Sequence, residues 1–121
     1  MADEQQSNVQ LSDPQLQVLR DTLVNLQSIR TALLQIDPDS LSAAQHVAWN
    51  KQVYRIGLVI TQVRNHLLGL VLKEFADILD GFKRSTTALK DSLQGLKDSV
   101  QIINAVAGVM DLLAQAAKLL A

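Results

Sequence analysis

Apolar residues in the last stretch of the chain, Val100 to Ala121, fall on two stripes that run side by side. One is Val100, Ile103, Ala107, Met110, Ala114, Ala117 and Ala121. The other is Ile102, Val106, Val109, Leu113, Ala116 and Leu120. Both step by three and four residues, so they share one helix about 100° of turn apart. The segment contains only two charges, Asp111 and Lys118. A helix with one stripe covers one neighbour, whereas a double stripe asks for two neighbours, a membrane or a partner.

The same periodicity predicts two earlier helices. Ser12-Asp13-Pro14-Gln15 announces the first, with Ser12 as cap, Gln15 closing a capping box and Pro14 confined to the first turn. Its apolar face is Leu16, Leu19, Leu23, Leu26, Ile29, Leu33 and Ile36, and Asp37-Pro38 ends it because the residue before proline avoids the helical region. A second capping box, Ser42 with Gln45, opens the next helix. Its seam reads Val53, Ile56, Ile60, Val63, Leu67 and then Val71, Phe75, Ile78, Phe82. The paired steps of four at Leu67–Val71–Phe75 act as a stutter that turns the apolar face sideways. Leu67-Leu68-Gly69-Leu70-Val71-Leu72 is apolar on every side and cannot all face one neighbour.

At Gly81 the local signals conflict. Asp80-Gly81-Phe82 resembles a glycine helix stop with an apolar residue after it. Asp80 and Arg84, however, form a favourable pair only if the helix continues. The expectation is a break between Gly81 and Thr87, with a third helix running from near Thr86 to the end through Leu89, Leu93 and Leu96. A helix continuous through Gly81 would instead build a rod more than about 100 Å long that must dimerise as a coiled coil to bury its seam.

The predicted fold is therefore all-α: an antiparallel bundle of three long helices with the first one shorter, and oligomerisation as a route to complete the core. The helices would span roughly 36, 58 and 50 Å. The double-striped half of the third then lies where the first two also meet. Residues 1–11 are expected to be a flexible tail and 12–121 one helical-bundle domain. The opposite end, 67–98, would be a two-helix hairpin with Leu67–Leu72 exposed, a surface that calls for a partner.

Composition supports helix packing. Apolar residues make up 48% of the 121 and charged ones 19%, enough for a core and too few charges for global disorder. The only aromatic side chains are Trp49, Tyr54, Phe75 and Phe82. A core so poor in rings suits helix on helix better than a sheet sandwich. A net charge of −1 without blocks of like sign gives no electrostatic case for nucleic acid. Cysteine is absent, which excludes disulfides and thiolate metal sites and fits a cytoplasmic chain. Met1 to Gln10 lacks the basic and apolar regions of a secretory signal, leaving signal-independent export open. An Asp at mid-bilayer would cost roughly 2.5–3.5 kcal/mol, so Asp111 argues against a simple spanning helix.

Candidate chemistry is sparse. The chain contains no P-loop, dinucleotide fingerprint, HExxH or Glu-x-x-His motif. His46 and His66 lack a second ligand at helical spacing, and Glu74, Asp77 and Asp80 share a face with Lys73, Lys83 and Arg84 nearby. Ser85, Thr86 and Thr87 resemble a loop or cap cluster without a base. The sequence therefore points to no enzyme, cofactor, metal or small-molecule substrate. It points to a non-enzymatic helical interaction module such as an adaptor, assembly subunit or effector-binding chaperone. Its expected contact residues toward a protein partner or a second copy are Leu67, Leu68, Leu70, Val71, Leu72, Phe75 and Phe82. Trp49 and Tyr54 either plug the turn end of the bundle or anchor the interface. The alternative is a membrane-active, pore-forming type of protein whose apolar helices 56–72 and 100–121 engage lipid, weakened by the lack of a basic face.

Overall fold

The computed structural model describes residues 8–67, 69–96 and 98–120. Among these residues the chain forms a short strand β1 (Asn8–Gln10), helices α1 (Asp13–Leu34) and α2 (Ala43–Asn65), a strand β2 (Leu70–Leu72), and helices α3 (Lys73–Gln94) and α4 (Ser99–Leu120). The molecule is a helical bundle, as expected, but with four helices instead of three.

Both capping boxes form. Ser12 N–H donates to Gln15 Oε1 at 2.9 Å while Gln15 N–H donates to Ser12 Oγ at 3.3 Å. Ser42 and Gln45 repeat the exchange at 2.8 and 3.2 Å. Each cap satisfies amides that the first helical turn cannot pair internally, worth about 1 kcal/mol.

The helix breaks differ from the expected ones. Helix α3 runs straight through Gly81, because its buried line Phe75, Leu79, Phe82, Thr86, Leu89, Leu93 alternates steps of four and three without interruption. Leu79, not Ile78, lies on that line. The Ser85-Thr86-Thr87 cluster is mid-helix, not a loop. The second helix ends instead at Asn65, its last turn tightened by His66 N–H to Val63 O at 3.1 Å and Leu67 N–H to Arg64 O at 3.4 Å. The stutter at Leu67–Val71–Phe75 thus marks the end of a helix rather than a turning of its face. A further break separates α3 from α4. Gly95 caps α3, and Asp98 Oδ1 accepts from Val100 N–H at 2.8 Å to open α4.

Side-chain pairings fix the helix directions. Trp49 Nε1 donates to Leu33 O at 2.7 Å, joining the end of α1 to the start of α2. Asn25 meets Thr86 and Thr87, and Asp21 meets Lys83, so α1 and α3 run parallel. The short links 35–42 and 95–98 make α1 antiparallel to α2 and α3 antiparallel to α4, so α2 and α4, joined by Arg55 and Asp111, also run parallel. Helix α1 packs on α2 and α3, and α4 packs on the same two, while α2 and α3 make little contact across the diagonal. The double stripe of α4 accordingly meets two neighbours. Its buried line, Ile103, Val106, Met110 and Leu113, draws alternately on both stripes.

The link from α2 to α3 must cross that diagonal beneath the open end of the core. This explains its composition: Val71 is buried, and β2 pairs antiparallel with β1, setting Asn8 opposite Leu72 and Gln10 opposite Leu70. The expected tail therefore contributes structure from Asn8 onward, and Leu11 is buried in the core. Residues 1–7 lie outside the described part. The described residues of the run, Leu67 and Gly69–Leu72, form an end cap rather than an all-round apolar helix.

Candidate functional site

The residues expected to form one contact surface do not share one. Phe75 and Phe82 are core residues, packed edge to face with centroids 5.9 Å apart, and Phe75 is fully buried. Val71 is buried beneath the ribbon. Leu67 and Leu72 are half-buried at the ends of the crossing link, Leu70 is exposed on it, and Leu68 lies outside the described residues. Trp49 is half-buried at the α1–α2 turn, its ring edge against His46 with centroids 5.4 Å apart. Its indole N–H is consumed by Leu33 O, so it closes the turn end of the bundle. Tyr54 alone of the aromatics is open to solvent, 71% exposed.

A different exposed line emerges on α2. Val47 is 69% exposed and Leu58 46% exposed, on the same side as Tyr54. Positions i, i+7 and i+11 of a helix fall within about 40° of one another. The three thus form one outward ridge, roughly 16 Å long. A groove of about 480 Å³ between α1 and α2 lies on one flank, with Arg30, Tyr54, Leu58 and Arg64 in its lining. A second groove of about 260 Å³, between α2 and α4, lies on the other, where Leu58 again contributes beside Met110 and Lys118.

The charges that α2 itself carries have one sign. Helix α2 carries Lys51, Arg55 and Arg64 and no Asp or Glu, in a chain whose net charge is −1. Arg55 is balanced by Asp111 of α4 at 3.0 Å. Among the described residues no ion pair involves Arg30, Lys51 or Arg64. Sequence reading missed this face. Its signal was available: a 23-residue helix without an acid, carrying Val, Tyr and Leu opposite its buried line.

Elsewhere the chemistry is structural. Asn25 Nδ2 donates to Thr86 Oγ1 at 3.2 Å and Thr87 Oγ1 at 2.8 Å, bridging α1 to α3 inside the bundle. Gln52 is only 4% exposed, and its Oε1 has no hydrogen-bond partner. His46 and His66 sit at opposite ends of α2, bonded to Asn50 and to the Gln62 carbonyl. Glu74, Asp77 and Asp80 are exposed, and Lys73 pairs with Asp77 at 3.0 Å. Among the described residues, no cluster of three His, Asp or Glu could hold a metal ion. A polar cleft of about 550 Å³ at the far end of the bundle brings Asp37, Lys90 and Ser99 to one opening. No helix among the described residues is long and apolar enough to cross a membrane, and 56–72 is not one helix because α2 ends at Asn65.

No family model matches this chain, and no curated protein or solved structure shows significant similarity to it.

Proposed function

We propose that the protein is a non-enzymatic interaction module that docks a partner on the outer face of α2. The observation that carries this reading is the aligned exposure of Val47, Tyr54 and Leu58 on one side of that helix. A lone exposed apolar residue is ordinary on a soluble protein, but three in register along a helix match the i, i+7 anchor pattern of helix-mediated recognition. Tyrosine also suits an interface, offering a large rigid apolar body and a hydroxyl tip at little entropic cost. The adaptor, assembly-subunit and chaperone roles expected of the chain all reduce to this property of presenting one helix.

The test is photo-crosslinking in the native host, with the reactive side chain placed at position 54 and, as control, at Asp91 on α3. A discrete adduct at 54 and none at 91 is expected. An adduct of twice the 13.3 kDa chain mass would identify the occupant as a second copy. The same adduct pattern at both positions, or none at 54, would remove α2 as the docking face.

A further inference from the structure

Resting on that docking reading, we infer that the occupant of the α2 face is an acidic amphipathic helix belonging to a different protein. Three observations select it. The first is charge complementarity. Arg30 and Arg64 stand in the lining of the groove that Tyr54 and Leu58 share, Lys51 lies one turn before Tyr54, and α2 supplies no carboxylate. A helix bearing Asp or Glu beside its apolar stripe would meet cations along its whole length, while a basic helix would be repelled.

The second is dimension. The ridge from Val47 to Leu58 spans roughly 16 Å, which a helix of about three turns covers. The grooves on either side of Leu58 can take apolar side chains spaced three and four residues apart.

The third is what the chain itself offers as a counterpart. In α1, Asp13 and Asp21 are matched by Arg20 and Arg30, and in α3 the run Glu74, Asp77, Asp80 shares its face with Lys73, which pairs with Asp77 at 3.0 Å, and with Arg84 one turn after Asp80. None of the described helices presents a uniformly acidic face, so a second copy has no complementary surface to give. A lipid surface is also a poorer match. Recognition of anionic bilayers takes about four to eight clustered cations, and here three stand without an ion-pair partner among the described residues.

The probe is a labelled helical peptide of about 18 residues, with leucine at three-four spacing flanked by glutamate, and a twin in which lysine replaces glutamate. Binding is followed by fluorescence anisotropy on the full chain. The glutamate peptide is expected to bind at least about tenfold more tightly than its twin, with the preference fading toward about 1 M salt. Arg30 and Arg64 are exposed, so Arg30→Glu with Arg64→Glu leaves the fold intact, checked by circular dichroism, and reverses the preference. Equal binding of both peptides, abolished by Leu58→Glu, would overturn the charge inference and leave the docking face standing. Binding of neither peptide overturns the inference whether or not position 54 crosslinks, and loss of that adduct as well overturns the docking reading with it. Charge-dependent binding to phosphatidylglycerol-containing vesicles, without binding of the glutamate peptide, would overturn it in favour of lipid.

Discussion

Asn25 reaches two hydroxyls from one amide nitrogen inside an otherwise apolar interface, where a lost partner is costly because water cannot replace it. Replacing it with alanine strips both Thr86 and Thr87 of a donor, and Asn25→Ala is expected to lower stability by about 1–3 kcal/mol in chemical denaturation. Gln52 is the opposite case. Its buried Oε1 already lacks a partner, so Gln52→Leu is expected to raise stability by about 1–2 kcal/mol, read as a higher denaturation midpoint. Asp21 adds a pH-dependent contact. The Gln17 amide at 2.9 Å, opposed by partial burial and aided by the Lys83 ammonium at 3.4 Å, holds its carboxyl below the ordinary value. A lowered folded-state pKa stabilises above the ordinary carboxylate value and ceases to do so as pH falls through the lowered one. Asp21→Asn should therefore melt below the parent at neutral pH, and the gap should close on acidification. Local residue chemistry was legible where partners are close in sequence, as in the Ser12–Gln15 and Ser42–Gln45 boxes. The Asn25 bridge was not, because its acceptors lie 61 and 62 residues away and Ser85-Thr86-Thr87 carries cap chemistry when read alone.

Helix α3 illustrates two local rules in competition. Glycine before phenylalanine suggests a stop, but the four-three line from Phe75 to Leu93 passes through Gly81 and outweighs it, since five large apolar side chains are buried along that line. The line was hard to see because Thr86 occupies one of its positions. Gly81 adopts no positive φ, and a Cβ there would meet nothing within 4 Å. Gly81→Ala is accordingly expected to stabilise by about 0.5–1 kcal/mol, through helix propensity and a less flexible unfolded chain. A thermal midpoint that falls would mean a bend at this glycine. The true breaks were masked in different ways. The link after Asn65 is as apolar as a helix core, so composition gave no warning, whereas Gly95 followed by Asp98 did carry a stop and a start that the stripe from Leu89 to Leu96 hid.

Across the whole molecule, parallel pairing of α1 with α3 and of α2 with α4 follows from one topological choice, the diagonal crossing of the link between α2 and α3. That choice could not be read from periodicity, which reports which faces are apolar but not which neighbour each face meets. The need of α4 for two neighbours was legible from its double stripe, and the helical bundle class with it. The residues expected to share a contact surface are dispersed: the apolar run reads as one helix face, but Val71 in it covers the end of the chain's own core. The α2 ridge was overlooked for the converse reason: its three residues are too far apart to stand out in a window of sequence, and align only when wound on a helix.

The crossing link inverts the usual relation between loops and evolutionary freedom. Connections between helices ordinarily drift in length from one lineage to another because they lie outside the core. Here residues 66–72 must hold Val71 under the helices and keep β2 in register with β1, so one inserted residue would flip the alternation and expose what it buries. A library of single-residue insertions scored for folded protein should tolerate the 35–42 turn and reject 70–72. An alignment of homologues should show gaps at the former and an unbroken, constant-length block at the latter.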